Sequence, residues 1–116
     1  MDFRNGKELL DLCREHNLLI SDVMRQREIT CGSMTNEQID ARLKEILTIM
    51  KNAAHTPLET PTRSIGGLIG GEAKKTYEFS QTDNNLCGSF LSRAISYSMA
   101  VLEVNATMGL IVAAPT

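Results

Sequence analysis

Thr35-Asn-Glu-Gln-Ile39-Asp-Ala-Arg-Leu43-Lys-Glu-Ile46-Leu47-Thr-Ile-Met50-Lys-Asn-Ala53-Ala54 decides the fold class of this chain. Ile39, Leu43, Ile46, Leu47, Met50, Ala53 and Ala54 recur at three and four residues, the spacing that gathers side chains on one face of an α-helix. Lys44, Glu45 and Lys51 fall off that stripe. Thr35 and Gln38 have the spacing of a capping box, in which each side chain meets the other residue's backbone amide. The helix is expected over about 36–54, closing before His55-Thr-Pro57, because proline disfavours the helical region in the residue ahead of it.

Working back from this helix, Asn5 can cap a first one over about 6–16, with Glu8 reaching back toward the cap amide. Leu9, Leu12, Cys13 and His16 then share a side, and Asn17 is a natural stop. Ser21 is a plausible cap for a short helix over about 22–31, with Val23, Met24 and Ile29 apolar and Gly32 at its end. Working forward, residues 55–88 read as an irregular, Gly/Pro-rich loop region. Pro57 and Pro61 stiffen it, Gly66-Gly67 and Gly70-Gly71 punctuate it, and Ser80-Gln-Thr-Asp-Asn-Asn85 is polar. A last helix is expected over about 89–104, with Phe90, Leu91, Ala94, Ile95, Met99 and Leu102 turned inward. The fold class is mostly α, and any strand is confined to the middle.

Composition narrows the function. The chain has 116 residues, 42% hydrophobic and 22% charged, with a net charge of −2. That balance suits one soluble domain and leaves no basic stripe for nucleic acid. With no Trp, two Tyr and three Phe, the core must be aliphatic. The N-terminus lacks a signal-peptide core, and the apolar run from Gly109 to Pro115 falls far short of the roughly 20 residues that cross a bilayer. A cytoplasmic protein with no membrane role follows. Cys13, Cys31 and Cys87 are odd in number and scattered, which fits a reducing compartment and argues against a disulfide framework. Their gaps are also longer than iron–sulfur ligands usually show, so none is assigned to a metal.

Two features carry candidate chemistry. Glycine lets the backbone approach a ligand closely and turn its N–H groups inward, so Gly66, Gly67, Gly70 and Gly71 suit a substrate carboxylate. A tight turn or a close helix crossing uses the same glycines. Glu72 beside them could orient an ammonium group, or simply be a solvated or helix-start charge. Asn105 lies in an apolar segment, where a buried amide must be bonded; it would hold substrate or cap the helix. Thr107 and Thr116 are lesser hydroxyl candidates. His16 and His55 have no partner motif, and no Lys sits where a pyridoxal Schiff base would be expected.

Several stretches resemble one family in register. Gly6-Lys-Glu-Leu-Leu-Asp-Leu-Cys-Arg-Glu-His16, Ile20-Ser-Asp-Val-Met24, Ile65-Gly-Gly-Leu-Ile-Gly-Gly-Glu72, Leu86-Cys-Gly-Ser89 and Asn105-Ala-Thr-Met-Gly109 with Ala114-Pro115-Thr116 are similar to the alpha chain of iron–sulfur-dependent L-serine dehydratases (L-serine ammonia-lyases). Glu72 departs mildly, since an Asp is common there. The resemblance implies an N-terminal piece of a larger all-α domain, in which the apolar segment 105–116 continues past Thr116. It implies conversion of L-serine to pyruvate and ammonia, assisted by a 4Fe-4S cluster on three cysteines outside this segment, without pyridoxal phosphate. It further implies a beta-type domain or subunit, an oligomer, a catalytic base elsewhere, and substrate contact at Gly66, Gly67, Gly70, Gly71 and Asn105. The segment would be a pocket wall, inactive alone. The rival readings are a helical interaction module without substrate contact, and a related lyase acting on cysteine or threonine.

Overall fold

A computed structural model describes residues 2–112 of the chain. Those residues form α1 (Gly6–His16), α2 (Ile20–Gly32), α3 (Asn36–Glu59), α4 (Glu72–Ser80) and α5 (Gly88–Ala106), with no strand among them. The mostly α class is therefore met. Ala114-Pro115-Thr116 of the resemblance, with the hydroxyl of Thr116, lies outside the described residues. The chain divides into two compact units between Glu45 and Ile46, taken in turn below.

In the first unit, α1 opens on Asn5, whose side chain accepts from the Glu8 amide at 3.0 Å. The Glu8 carboxylate bonds back to the Arg4 amide at 2.7 Å and the Asn5 side-chain amide at 2.9 Å, one residue off the expected box. Asn17 ends α1 in the left-handed region, as a C-terminal Asn can without the penalty of a larger side chain. Helix α2 starts earlier than expected, and Ser21 is not its cap. The Asp22 carboxylate accepts the Leu19 amide at 3.0 Å, which moves the cap to Leu19 and leaves Ser21 within the first turn. Helix α1 packs on α2, and Val23 is fully buried. Thr35 and Gln38 complete both halves of their box, at 2.9 and 3.3 Å.

Over residues 36–54 of α3 the most covered apolar side chains are Ile39, Ile46, Ile49 and Ala53, whereas Leu43, Leu47 and Met50 stay about half exposed. The apolar face is wider than the 100° that one contact covers, so spacing alone could not choose its buried edge.

In the second unit the expected loop over 55–88 is corrected three times. Helix α3 runs through Pro57 to Glu59, α4 occupies 72–80, and α5 already begins at Gly88. Pro57 sits in the last turn, where only one intrahelical donor is lost, and Thr60 still donates to the Thr56 carbonyl at 2.9 Å. Pro57 is fully buried, and Leu58 joins Ala73 and Ala100 in a core flanked by Tyr77, Tyr97 and Met99. Burial outweighs the local preference. His55 is likewise helical rather than the start of a turn, its ring 5.2 Å from that of Tyr97.

Helix α5 packs closely on α4, but of the residues expected inward only Met99 flanks the core, and the buried face is a different one. Ser92, Ser96, Ala100 and Glu103 are buried, while Phe90 is 81% and Leu102 62% exposed. The small residues Ser92, Ser96 and Ala100, spaced four apart, let the α4 backbone come close. Their hydroxyls are satisfied locally: Ser96 donates to the Ser92 carbonyl at 2.8 Å, and Ser92 to the Asn85 side chain at 2.6 Å. Asn85, which the sequence placed in a plain polar loop, also receives the Cys87 amide at 3.2 Å and donates to the Ser80 carbonyl at 3.4 Å. It clips the α4–α5 connection together.

Candidate functional site

The second unit carries a pocket of about 420 Å³ walled by Ile69, Met99, Leu102 and Ala106, with Glu72, Glu103 and Asn105 as its polar groups. Each polar group arrives for a local reason. Glu72 is the first residue of α4, where an acid favours the helix dipole. Its carboxylate accepts the Gly70 amide at 2.6 Å. Hydrogen bonds from its own amide and from that of Gly70 hold its carboxyl below the usual range.

A lowered native value makes this contact complete above the ordinary glutamate range and lost only as pH falls through the lower value. The amide proton shift of Gly70, followed by NMR, is therefore expected to titrate with a midpoint below the about 4.3 of free glutamate. A midpoint at or above that value would remove the contact.

Glu103 ends the small-residue stripe of α5 and is 2% exposed. One oxygen accepts the Ala73 amide at 2.8 Å, an orphan donor of the first turn of α4. Its other oxygen is buried with no partner among the described residues. Asn105, the penultimate residue of α5, is exposed to the pocket. It does not cap α5. The cap is Thr107, whose hydroxyl is spent on the Glu103 and Val104 carbonyls at 3.1 and 3.0 Å. Behind it the chain folds back so tightly that a Cβ on Gly109 would stand 2.6 Å from the Val104 Cγ1, which explains the glycine of the Asn-Ala-Thr-Met-Gly stretch.

The other expected site residues are placed differently. Gly70 and Gly71 line a separate groove of about 360 Å³, together with Pro61, Arg63, Lys74, Lys75 and Glu78. Gly66 and Gly67 sit at the exposed tip of a loop closed by the Ser64 amide on the Ile69 carbonyl at 2.8 Å, and line neither cavity. Two of the four glycine amides are already engaged: Gly67 on the Ser64 carbonyl and Gly70 on Glu72. The structure thus brings Asn105 to Glu72, and leaves the glycine pairs beside the pocket rather than in it.

A family profile described as the serine dehydratase alpha chain matches residues 15–116. The chain belongs to the serine dehydratase alpha-chain family. The L-serine dehydratase alpha chain of Peptoniphilus asaccharolyticus is 34% identical over 96% of this chain, and the probable L-serine dehydratase alpha chain of Bacillus subtilis (strain 168) 40% identical over 98%. An L-serine dehydratase of Helicobacter pylori (strain J99 / ATCC 700824) is 28% identical over 99% of the chain. The chain spans 38% of the length of the first two relatives and 26% of the third. No solved structure matches it.

For this serine dehydratase alpha chain the cysteines carry no cluster site among the described residues. Cys13 is half-buried on α1, and Cys31 and Cys87 are exposed. No group of three or more His, Cys, Asp or Glu side chains there could hold a metal ion. No helix of the described residues is long and apolar enough to cross a membrane. Glu103 is the site residue that sequence reasoning missed. Its signal was available: it extends the Ser92, Ser96, Ala100 series by three residues, placing a carboxylate on the face that packs.

Proposed function

We propose that this chain is part of an L-serine ammonia-lyase that converts L-serine to pyruvate and ammonia by iron–sulfur-assisted dehydration. Membership of the serine dehydratase alpha-chain family carries this reading, supported by a pocket in which Asn105 faces Glu72. The segment supplies one wall of the substrate site. Asn105 orients the amino acid from within the pocket, and the glycine pairs shape the loop beside it. Positioning of this kind fixes the reacting geometry without itself moving a proton. The described residues do not fit a 4Fe-4S cluster, so in this reading its ligands, the Lewis acidity it supplies and the catalytic base come from the rest of the protein. A beta-type domain or subunit completes the enzyme, which works in the cytoplasm as an oligomer, without pyridoxal phosphate, nucleic acid or membrane.

Ile65 is 93%, Leu68 89% and Leu86 99% exposed, and in the complete enzyme these apolar side chains meet the remainder of the protein. The test is pyruvate release from L-serine by the complete protein, purified without oxygen and with its cluster reconstituted. Turnover that is lost in air, and absent from the 116-residue chain alone, is expected. Turnover by the isolated chain, or an intact cluster with no activity toward L-serine, would overturn the proposal.

A further inference from the structure

The buried, unpartnered oxygen of Glu103 is the feature of this molecule that local structure does not account for. A carboxylate removed from water costs several kcal/mol unless its lone pairs are met, and the α4 amide meets one oxygen only. Glu72 adds a second carboxyl to the same pocket, within hydrogen-bonding reach of Glu103, and no Lys, Arg or His lines it. The pocket therefore gathers two acidic groups with no basic side chain to balance them, between the apolar walls of Met99, Leu102 and Ile69.

A metal ion is a poor match, since two carboxylates and an amide fall short of a closed oxygen shell and no three acidic or soft ligands converge. A primary ammonium group is a good match. It carries three donors, and Glu103, Glu72 and the Asn105 side-chain carbonyl are three acceptors around one space. Charge-assisted hydrogen bonds are also the strong ones.

We infer that Glu103, with Glu72, receives the α-ammonium group of an amino-acid substrate. The inference rests on the lyase reading above and sharpens it. Glu103 is then a binding residue, whose second oxygen meets its partner when the substrate arrives. It favours amino acids over hydroxy acids that lack the amine.

The experiment compares L-serine with 3-hydroxypropionate, which keeps the carboxylate and hydroxyl and lacks the amine. Binding of both is measured to the complete cluster-loaded enzyme and to its Glu103→Gln and Glu72→Gln variants. Glu103→Gln is expected to weaken L-serine about tenfold or more while leaving 3-hydroxypropionate within about twofold. Glu72→Gln should show the same selectivity to a smaller degree. Because Glu72 is exposed, that variant decides the matter if the Glu103 variant fails to fold. Equal losses for both ligands would reduce Glu103 to a support of α4 and overturn the inference, as would unchanged L-serine binding. If the unmodified enzyme neither binds nor dehydrates L-serine, it is the lyase reading that falls, a distinct result from failure of the ammonium site alone.

Discussion

Gly70→Ala is expected to destabilise the second unit by about 3 kcal/mol or more, adding strained backbone to a backbone clash. Gly70 holds φ at 142°, a region that side chains with a Cβ rarely adopt. The added Cβ would lie on the Thr62 carbonyl oxygen and 2.7 Å from the Arg63 Cα, atoms that cannot rotate aside. The Gly70 amide would also be pulled from Glu72, at the start of α4. Gly66→Ala is the matched control. Nothing lies within 4 Å of a Cβ there, so the change should stay within about 0.5 kcal/mol. Native-state hydrogen exchange at the Ala73 amide, which bonds to Glu103, reads both variants in the complete alpha chain. Faster exchange in the Gly66 variant than in the Gly70 variant would mean that the glycine pairs have exchanged their roles.

Ser96→Leu is expected to be nearly as damaging, by about 3 kcal/mol, because extra methylenes in a tight contact force the helices apart. Ser96 is fully buried, and its hydroxyl is already returned to the Ser92 carbonyl. Phe90→Ser on the opposite face of α5 should cost under about 0.5 kcal/mol in the isolated chain, since that ring is 81% exposed. In most helices the polar-to-apolar change would be the harmless one. If urea unfolding of the isolated chain shows Phe90→Ser to be the more costly, the small-residue face is not the packed one.

These contrasts mark where the sequence was legible. Helices α1, α3 and α5 could be read because their signals are local: Asn5 at a cap, Thr35 and Gln38 in a box, apolar spacing over many turns. Helix α4 could not. Its nine residues are few for a periodic signal, and what holds it is a core made of Ala73, Leu58 and Ala100, remote from one another in sequence. Proline at 57 misled for the same reason, because its local cost is outweighed by burial that no window around it reveals.

The sequence by itself determined the helical class, the family, and the segment at Asn105 as a place where substrate contact was worth seeking. Those depend on short-range spacing and on motifs in register. Only the tertiary structure decided which face of α5 is buried, since an apolar stripe shows that a face needs cover but not which neighbour comes near. It also separated the glycine pairs from the pocket and brought Glu72 to Glu103 across thirty-one positions of chain. A carboxylate becomes a buried, half-satisfied acceptor only when a second helix takes one of its oxygens and closes water away from the other.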